Sequence, residues 1–282
     1  MKFTIFTKPW KSLEVVELAQ LVNKLGFDGV EFPIRDGYQV SDEDIHTRLP
    51  VACKTFNDYN LFIGSIAPSN YRVIDEHYIE TVAANDIRLL RVCLNIDMNL
   101  GYFETEKIIR SHFDKLMPIL ESYNVCIGVQ NHCKYSIGSA VGIMHLIEQY
   151  DDKYIGAVYD PAHCAIDGEP VDMGFNIIQS RLKLVNFKSA YYRRTNNPNS
   201  TEASWNVTWV TAKDGAYSWR KMANCLIENN YDGQICLPAE YSDPNDNGQL
   251  MGNIILPYVK YDFNYLRHLL GYQMASSDFP II

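Results

Sequence analysis

Apolar positions along the chain fall into two alternating patterns. Short β-branched or aromatic runs give way to stretches whose apolar residues recur every three or four positions, and the pair repeats. The first run is KFTIF, Lys2 to Phe6. A helix is predicted after it from Ser12 as N-cap, with Val15, Val16, Leu18, Ala19 and Val22 on one face and a stop near Gly26. DGVEF (Asp28 to Phe32) is the next strand, followed by a helix opening at SDED with Ser41 as cap. Further strands are predicted at 61–67, 88–95, 126–131, 155–160, 182–188 and 233–241. Helices are predicted near 75–84, 103–123, 138–150, 171–180, 214–229 and 252–271.

Eight strand–helix units at a mean spacing of about 35 residues predict an α/β fold, a (β/α)8 barrel with eight parallel strands. An open doubly wound sheet is the alternative. The absence of an antiparallel edge pattern and of a Gly-rich phosphate loop after the first strand argues against it. No composition shift marks a second domain, so residues 1–282 are expected to form one. The longest stretch without a periodic pattern is 189–212, which contains NNPNST and would be the loop after the seventh strand.

Composition narrows the function classes. There are 34 acidic against 25 basic residues, a formal charge of −9, and no Lys/Arg run, which disfavours nucleic acid as a partner. Seven scattered cysteines without a CxxC suggest reduced thiols in a cytoplasmic protein. No apolar stretch is long enough for a membrane span, and the first residues lack the apolar core of a signal peptide.

In such a barrel the chemistry sits at the carboxyl ends of the strands. Polar residues there are Glu31, Asn95, Gln130, His132, Asp160, His163, Asn186, Lys188 and Glu240. Period-two alternation lets Gln130 and His132 face one way, and likewise Asn186 and Lys188. Asp160 and Glu240 are carboxylates that need partners if buried. Lys188 has a structural reading, in which it pairs with Asp160 or Glu240 in a satisfied polar core, and two functional ones. Desolvation would lower its pKa by about 2–3 units and make it a base. Kept charged, it would stabilise an enediolate or stand in for a metal. Glu31 would bind a substrate hydroxyl or pair with Lys188 or Arg35. His132 would contact substrate or bond the backbone. Trp10 and Arg193, with Lys8, Tyr191, Tyr192, Arg194, Trp205 and Trp209, suit a sugar, sugar acid or sugar phosphate, or else the interface of a homo-oligomer.

The segments GFDGVEF, GVQNH, YDPAH, LVNFK and PAEY, in this order on successive strands, resemble the xylose isomerase-like barrel family across essentially the whole chain. That family includes sugar isomerases, ketose 3-epimerases, inosose dehydratases and endonuclease IV-type enzymes. The resemblance implies a carbohydrate substrate and proton transfer next to a carbonyl, or a dehydration. It also implies a divalent ion held by residues at positions 130, 160, 186 and 240. Here those are Gln130, Asp160, Asn186 and Glu240, so a carboxylate and an imidazole of the family pattern are replaced by amides. An all-oxygen set suits Mn²⁺ or Mg²⁺, bound weakly or not at all. The resemblance makes Glu240 a ligand or base, Asp160 a ligand and His163 a substrate-side or supporting residue, with Lys188 an acid/base or electrostatic group. One surviving carboxylate of the family's pair disfavours a symmetric two-base epimerase. The endonuclease ligand set is absent. A catalytically silent carbohydrate-binding barrel is the alternative from a different class.

Overall fold

The computed structural model describes residues 1–245 and 248–272. Strands β1 (Lys2–Phe6), β2 (Gly29–Ile34), β3 (Phe62–Pro68), β4 (Leu89–Cys93), β5 (Cys126–Gln130), β6 (Ile155–Tyr159) and β7 (Leu182–Asn186) lie in one sheet. Two further strands, β8 (Ser189–Arg194) and β9 (Trp205–Val210), precede β10 (Gln234–Leu237). The barrel closes in the order β1-β10-β7-β6-β5-β4-β3-β2, all parallel, so the eight predicted units form the (β/α)8 barrel. Outer helices are α1 (Val15–Leu25), α2 (Ile45–Asp58), α3 (Glu76–Ala84), α4 (Tyr102–Tyr123), α5 (Ala140–Ile147), α6 (Pro161–Ile166), α7 (Val171–Ile178), α8 (Trp219–Glu228) and α9 (Leu256–Leu269).

Strand residues are buried on both sides, and the two sides do different work. Outward-facing Val, Ile and Leu join the helices in one large apolar cluster. Phe6, Ala67, Leu89, Cys126, Val158, Leu184 and Cys236 form a separate cluster that fills the barrel interior. After each of these interior residues, at least one of the positions two and four further along is polar, which turns the top of the interior into a site.

Several boundaries differ from the sequence reading, each for a local reason. α1 starts at Val15 because Glu14 and Glu17 form a reciprocal capping box, displacing Ser12. Ser41 and Asp44 bond each other's backbone amides in a turn, and α2 begins after Asp44. The segment expected to be an irregular loop is an antiparallel hairpin: β8 pairs with β9 from Ser189↔Val210 to Arg194↔Trp205. Its strands mix polar, aromatic and charged residues and are only partly buried, so they lack a clean apolar alternation. Ser218, not a residue near Asp214, caps α8. No helix among the described residues is long and apolar enough to cross a membrane.

α9 holds the hairpin against the barrel through Asp262. Its carboxyl accepts the Ala212 amide at 2.8 Å and the Tyr241 hydroxyl at 2.9 Å. Burial pushes its pKa from 3.8 to about 7, opposed by those two hydrogen bonds. The native state therefore keeps a proton that the unfolded chain releases between about pH 4 and pH 7, and stability contributed here falls as pH rises through that window. Asp262→Asn keeps the shape without the titration. Urea midpoints at pH 5 and pH 7.5 should drop more for the wild type than for the variant. Equal drops would contradict the assignment.

Candidate active site

Three segments deliver the central groups, each by a different local device. β6 ends at Tyr159, and Asp160 then caps the short helix α6, accepting the Ala162 amide at 3.2 Å with Pro161 in the first helical position. Asn131 fixes the same residue from β5: its Oδ1 accepts the Asp160 amide at 2.7 Å, and its Nδ2 donates to the Asp160 carbonyl at 2.8 Å. Lys188 follows β7 by two residues on the face of Asn186. Pro238 cannot donate to the ladder and ends β10. Ala239 then takes a left-handed conformation (φ 54°), which turns Glu240 over the barrel mouth. Such a conformation in a residue with a Cβ costs about 1–2 kcal/mol and is retained where the surroundings require it.

The Lys188 ammonium lies between the two carboxylates, 2.9 Å from Glu240 Oε2 and 3.3 Å from Asp160 Oδ2. The Trp209 ring, from β9, covers it at 4.3 Å from the ring centroid. Lys8 donates to the other Glu240 oxygen, Oε1, at 2.6 Å. Burial alone would lower the pKa of Lys188, yet Asp160 and Glu240 more than offset it and hold the amine protonated. Of the readings of Lys188, the pairing with Asp160 and Glu240 is present, and the desolvated neutral base is the one this arrangement opposes. Burial would raise Glu240, but Lys188 and Lys8 pull it far below the usual carboxylate range. Asp160 is pushed up to about 6 by burial, partly countered by Lys188.

Both site histidines are neutral. His163 is buried; its Nδ1 accepts the Cys133 amide at 3.2 Å, which leaves the proton on Nε2, 3.6 Å from Asp160 Oδ2. Desolvation and Lys188 hold its pKa well below the usual value. His132 stacks on it at 4.0 Å and turns Nδ1 to the Cys133 carbonyl at 3.0 Å. Its pKa falls to about 4, chiefly by burial, so Nε2 carries a lone pair.

Glu31 is fully buried in a two-toothed ion pair with Arg91, at 2.9 and 2.8 Å, and also accepts from Ser65 at 3.2 Å. A cavity of about 270 Å³ at the barrel mouth is lined by Lys8, Glu31, Arg35, Arg91, His132, Asn186, Lys188 and Glu240, among others. Gln130 lines it as well. Trp10 and Arg193 do not. Trp10 is buried in the core, where its carbonyl accepts from Gln39, and Arg193 lies on β8. Arg91 escaped the sequence reading, which considered strand ends only. Its signal was a lone charge inside an apolar strand, in phase with Cys93 and Asn95, which line the same cavity.

The four positions expected to hold a hard divalent ion do not present a matching donor set. Two ammonium groups already neutralise Glu240, and one of them also bonds Asp160. Gln130 turns its Nε2 toward Asp160 at 2.8 Å, so it offers a donor where a metal needs a lone pair. Asn186 Oδ1 is buried without a partner and is the remaining oxygen that would fit. A group of another kind exists beside them: His132, Cys133 and His163 bring one ligand atom each to within 4.8 Å of one another. Nitrogen and sulfur donors favour zinc over Mn²⁺ or Mg²⁺.

A closed parallel barrel with a charged cavity at the carboxyl ends of its strands places the chain in the class of (β/α)8 barrels that carry their site on that face. Residues 19–252 match the xylose isomerase-like TIM barrel family, and the chain belongs to that family. Among solved structures it is similar to a D-psicose 3-epimerase determined in the presence of D-fructose. That match has 14% identity and a TM-score of 0.70, covering 96% of this chain and 100% of that one. A 3-keto-D-glucoside 4-epimerase from E. coli is similar at 11% identity and a TM-score of 0.67, covering 95% and 99%. A probable 3-DHS dehydratase from Bacillus anthracis follows at 13% and 0.61, covering 84% and 92%. At these identities the likeness establishes the fold. No curated protein matches the chain in sequence.

Removing the Lys188 charge leaves two carboxylates facing each other in a dry site. Lys188→Met is expected to destabilise the fold by about 3–5 kcal/mol at pH 7.5. The loss should shrink at pH 5, where Asp160 takes up a proton. A denaturation midpoint unchanged by the substitution would contradict the pairing.

Proposed function

We propose that the chain is a carbohydrate-transforming enzyme that moves a proton next to a carbonyl, with the Lys188 ammonium supplying the positive charge at the reacting oxygen. The carrying observation is the placement of that ammonium between Asp160 and Glu240, at the mouth of the cavity. Structural neighbours that include sugar epimerases and a dehydratase support the reaction class.

A substrate carbonyl or hydroxyl oxygen in the cavity would accept from Lys188, and the fixed ammonium would stabilise the enolate oxygen as it forms. Asn186 and Gln130 would orient hydroxyls. His163 would act through Asp160, because its Nε2 faces that carboxylate. Glu240 is the carboxylate placed to receive the proton, and release of Lys8 to a substrate oxygen would raise its basicity. His132, with its free Nε2, would serve as the opposite partner or as a hydrogen-bond acceptor.

Such a site is asymmetric. One carboxylate lines the reacting side, and an amide stands at position 130. Asymmetry favours an isomerisation, or an elimination of water with one base and one acid, over epimerisation with two equivalent bases. A small-molecule carbohydrate is the expected partner. Seven unpaired cysteines support a reducing, cytoplasmic setting.

Exchange of the proton next to the carbonyl, followed by NMR in heavy water over a panel of ketoses and keto acids, tests this reading. The rate is expected to survive dialysis against EDTA. It should fall by at least about 100-fold in Lys188→Met, the scale of losing one charge-stabilising donor. Loss on EDTA treatment with recovery on Mn²⁺ would overturn the ammonium reading. Tight sugar binding without any exchange would favour the silent binding protein.

A further inference from the structure

The cations around the cavity are unequally committed. Among the described residues, Lys8, Arg35, Arg91 and Lys188 line it as cations. The carboxylates near them are Glu31 and Glu240 in the wall, Asp160 beneath, and Asp42, which feels the charge of Arg35 without hydrogen-bonding to it. Glu31 is committed to Arg91, and Glu240 to Lys8 and Lys188. Arg35 is left over. Its guanidinium makes no hydrogen bond or ion pair with any described residue, its Nε is buried, and it follows β2 on the side facing the cavity.

Arg35 and Arg91 are also held side by side. Both guanidinium groups lie over the Phe6 ring, at 5.8 and 4.8 Å from its centroid. Arg91 uses Nε and Nη2 on Glu31, and its Nη1 meets only Cys93 Sγ, at 3.8 Å. Two neighbouring cations thus present unspent N–H donors to one cavity. Burial and Arg91 lower the pKa of Arg35, against weaker opposing charges that include Glu31. A half-buried guanidinium with no hydrogen-bonded anion is unfavourable in the free protein. It becomes favourable when a ligand brings the anion.

We infer that Arg35, with Arg91 Nη1, forms an oxyanion subsite, so that the carbohydrate taken by this cavity carries a carboxylate or a phosphate. The inference rests on the proposed carbohydrate chemistry for the rest of the ligand, but the subsite stands on the two guanidinium groups. Its anion would enter on the β2–β4 wall. Lys188 and Glu240 follow β7 and β10, so the reacting carbon would sit away from the charged end.

The test uses the full chain and two variants, Arg35→Gln and Arg35→Lys, with folding checked by circular dichroism. Inorganic phosphate and D-glucuronate are titrated by calorimetry. D-Fructose, D-fructose 6-phosphate and 5-keto-D-gluconate are then compared for binding and for proton exchange. Wild type is expected to bind the better anionic ketose at least about 10-fold more tightly than D-fructose, as one charge-assisted contact of ~1.4 kcal/mol or more implies. That ratio should collapse in Arg35→Gln and be partly kept in Arg35→Lys. Which of the two anionic ketoses is preferred identifies the oxyanion. Failure of both phosphate and D-glucuronate to bind wild type more tightly than Arg35→Gln would overturn the subsite, whatever happens with D-fructose. Anion binding that depends on Arg35, without proton exchange in any sugar, would uphold the subsite and remove the proposed reaction instead.

Discussion

An ammonium buried between two carboxylates keeps its charge only while both partners stay in place, and the architecture of this barrel mouth follows from that requirement. Lys188 is almost wholly inaccessible, as is Asp160. Taking three such charges out of water costs several kcal/mol per ion unless each finds a partner at hydrogen-bonding distance. Three strands therefore have to end in register. Asn131 pins the backbone of Asp160 from the neighbouring strand, the Asp-Pro cap directs its carboxylate, and Pro238 with left-handed Ala239 folds Glu240 back over the mouth. The hairpin closes the top by laying Trp209 against the ammonium, and Asp262 fastens the hairpin to α9.

A tethered cation differs in kind from a metal ion. It cannot be chelated, it adds one charge where a divalent ion would add two, and it donates hydrogen bonds instead of accepting electron pairs. In the proposed reaction, oxygen atoms of the substrate would be recognised as acceptors along Lys188. On the opposite wall, Glu31 and Arg91 form a second buried pair, and Arg91 Nη1 and the neighbouring Arg35 guanidinium have no carboxylate hydrogen-bonded to them. The proposed chemistry and the proposed anion subsite thus lie on opposite sides of the cavity.

Much of this was legible in the sequence. Eight apolar runs with helical spacers specify the barrel because a parallel strand buried on both faces has to be apolar almost throughout. Polar residues at the ends of those runs fall on the mouth by period-two alternation, which is why Gln130, Asp160, Asn186, Lys188 and Glu240 converge. The hairpin was hidden because its strands are stabilised by Trp209, Tyr241 and Asp262 at long range and show little alternation of their own. Helix α6 did carry a local signal, Asp-Pro as cap and first position, in a segment of only 6 residues. Arg91 and Arg35 required knowing which mid-strand and post-strand residues share a wall. Whether Glu31 meets Lys188, Arg35 or Arg91 is a matter of barrel closure that no local pattern contains.

The central claim is that a lysine nitrogen, not a metal, sits between Asp160 and Glu240. A crystal structure grown with millimolar MnCl₂, with anomalous diffraction collected at the manganese edge, tests it directly. The account predicts no anomalous peak between the two carboxylates and density for Lys188 Nζ in contact with both. A manganese peak bound by Asp160, Glu240 and the oxygens of Gln130 and Asn186, with Lys188 swung aside, would contradict it.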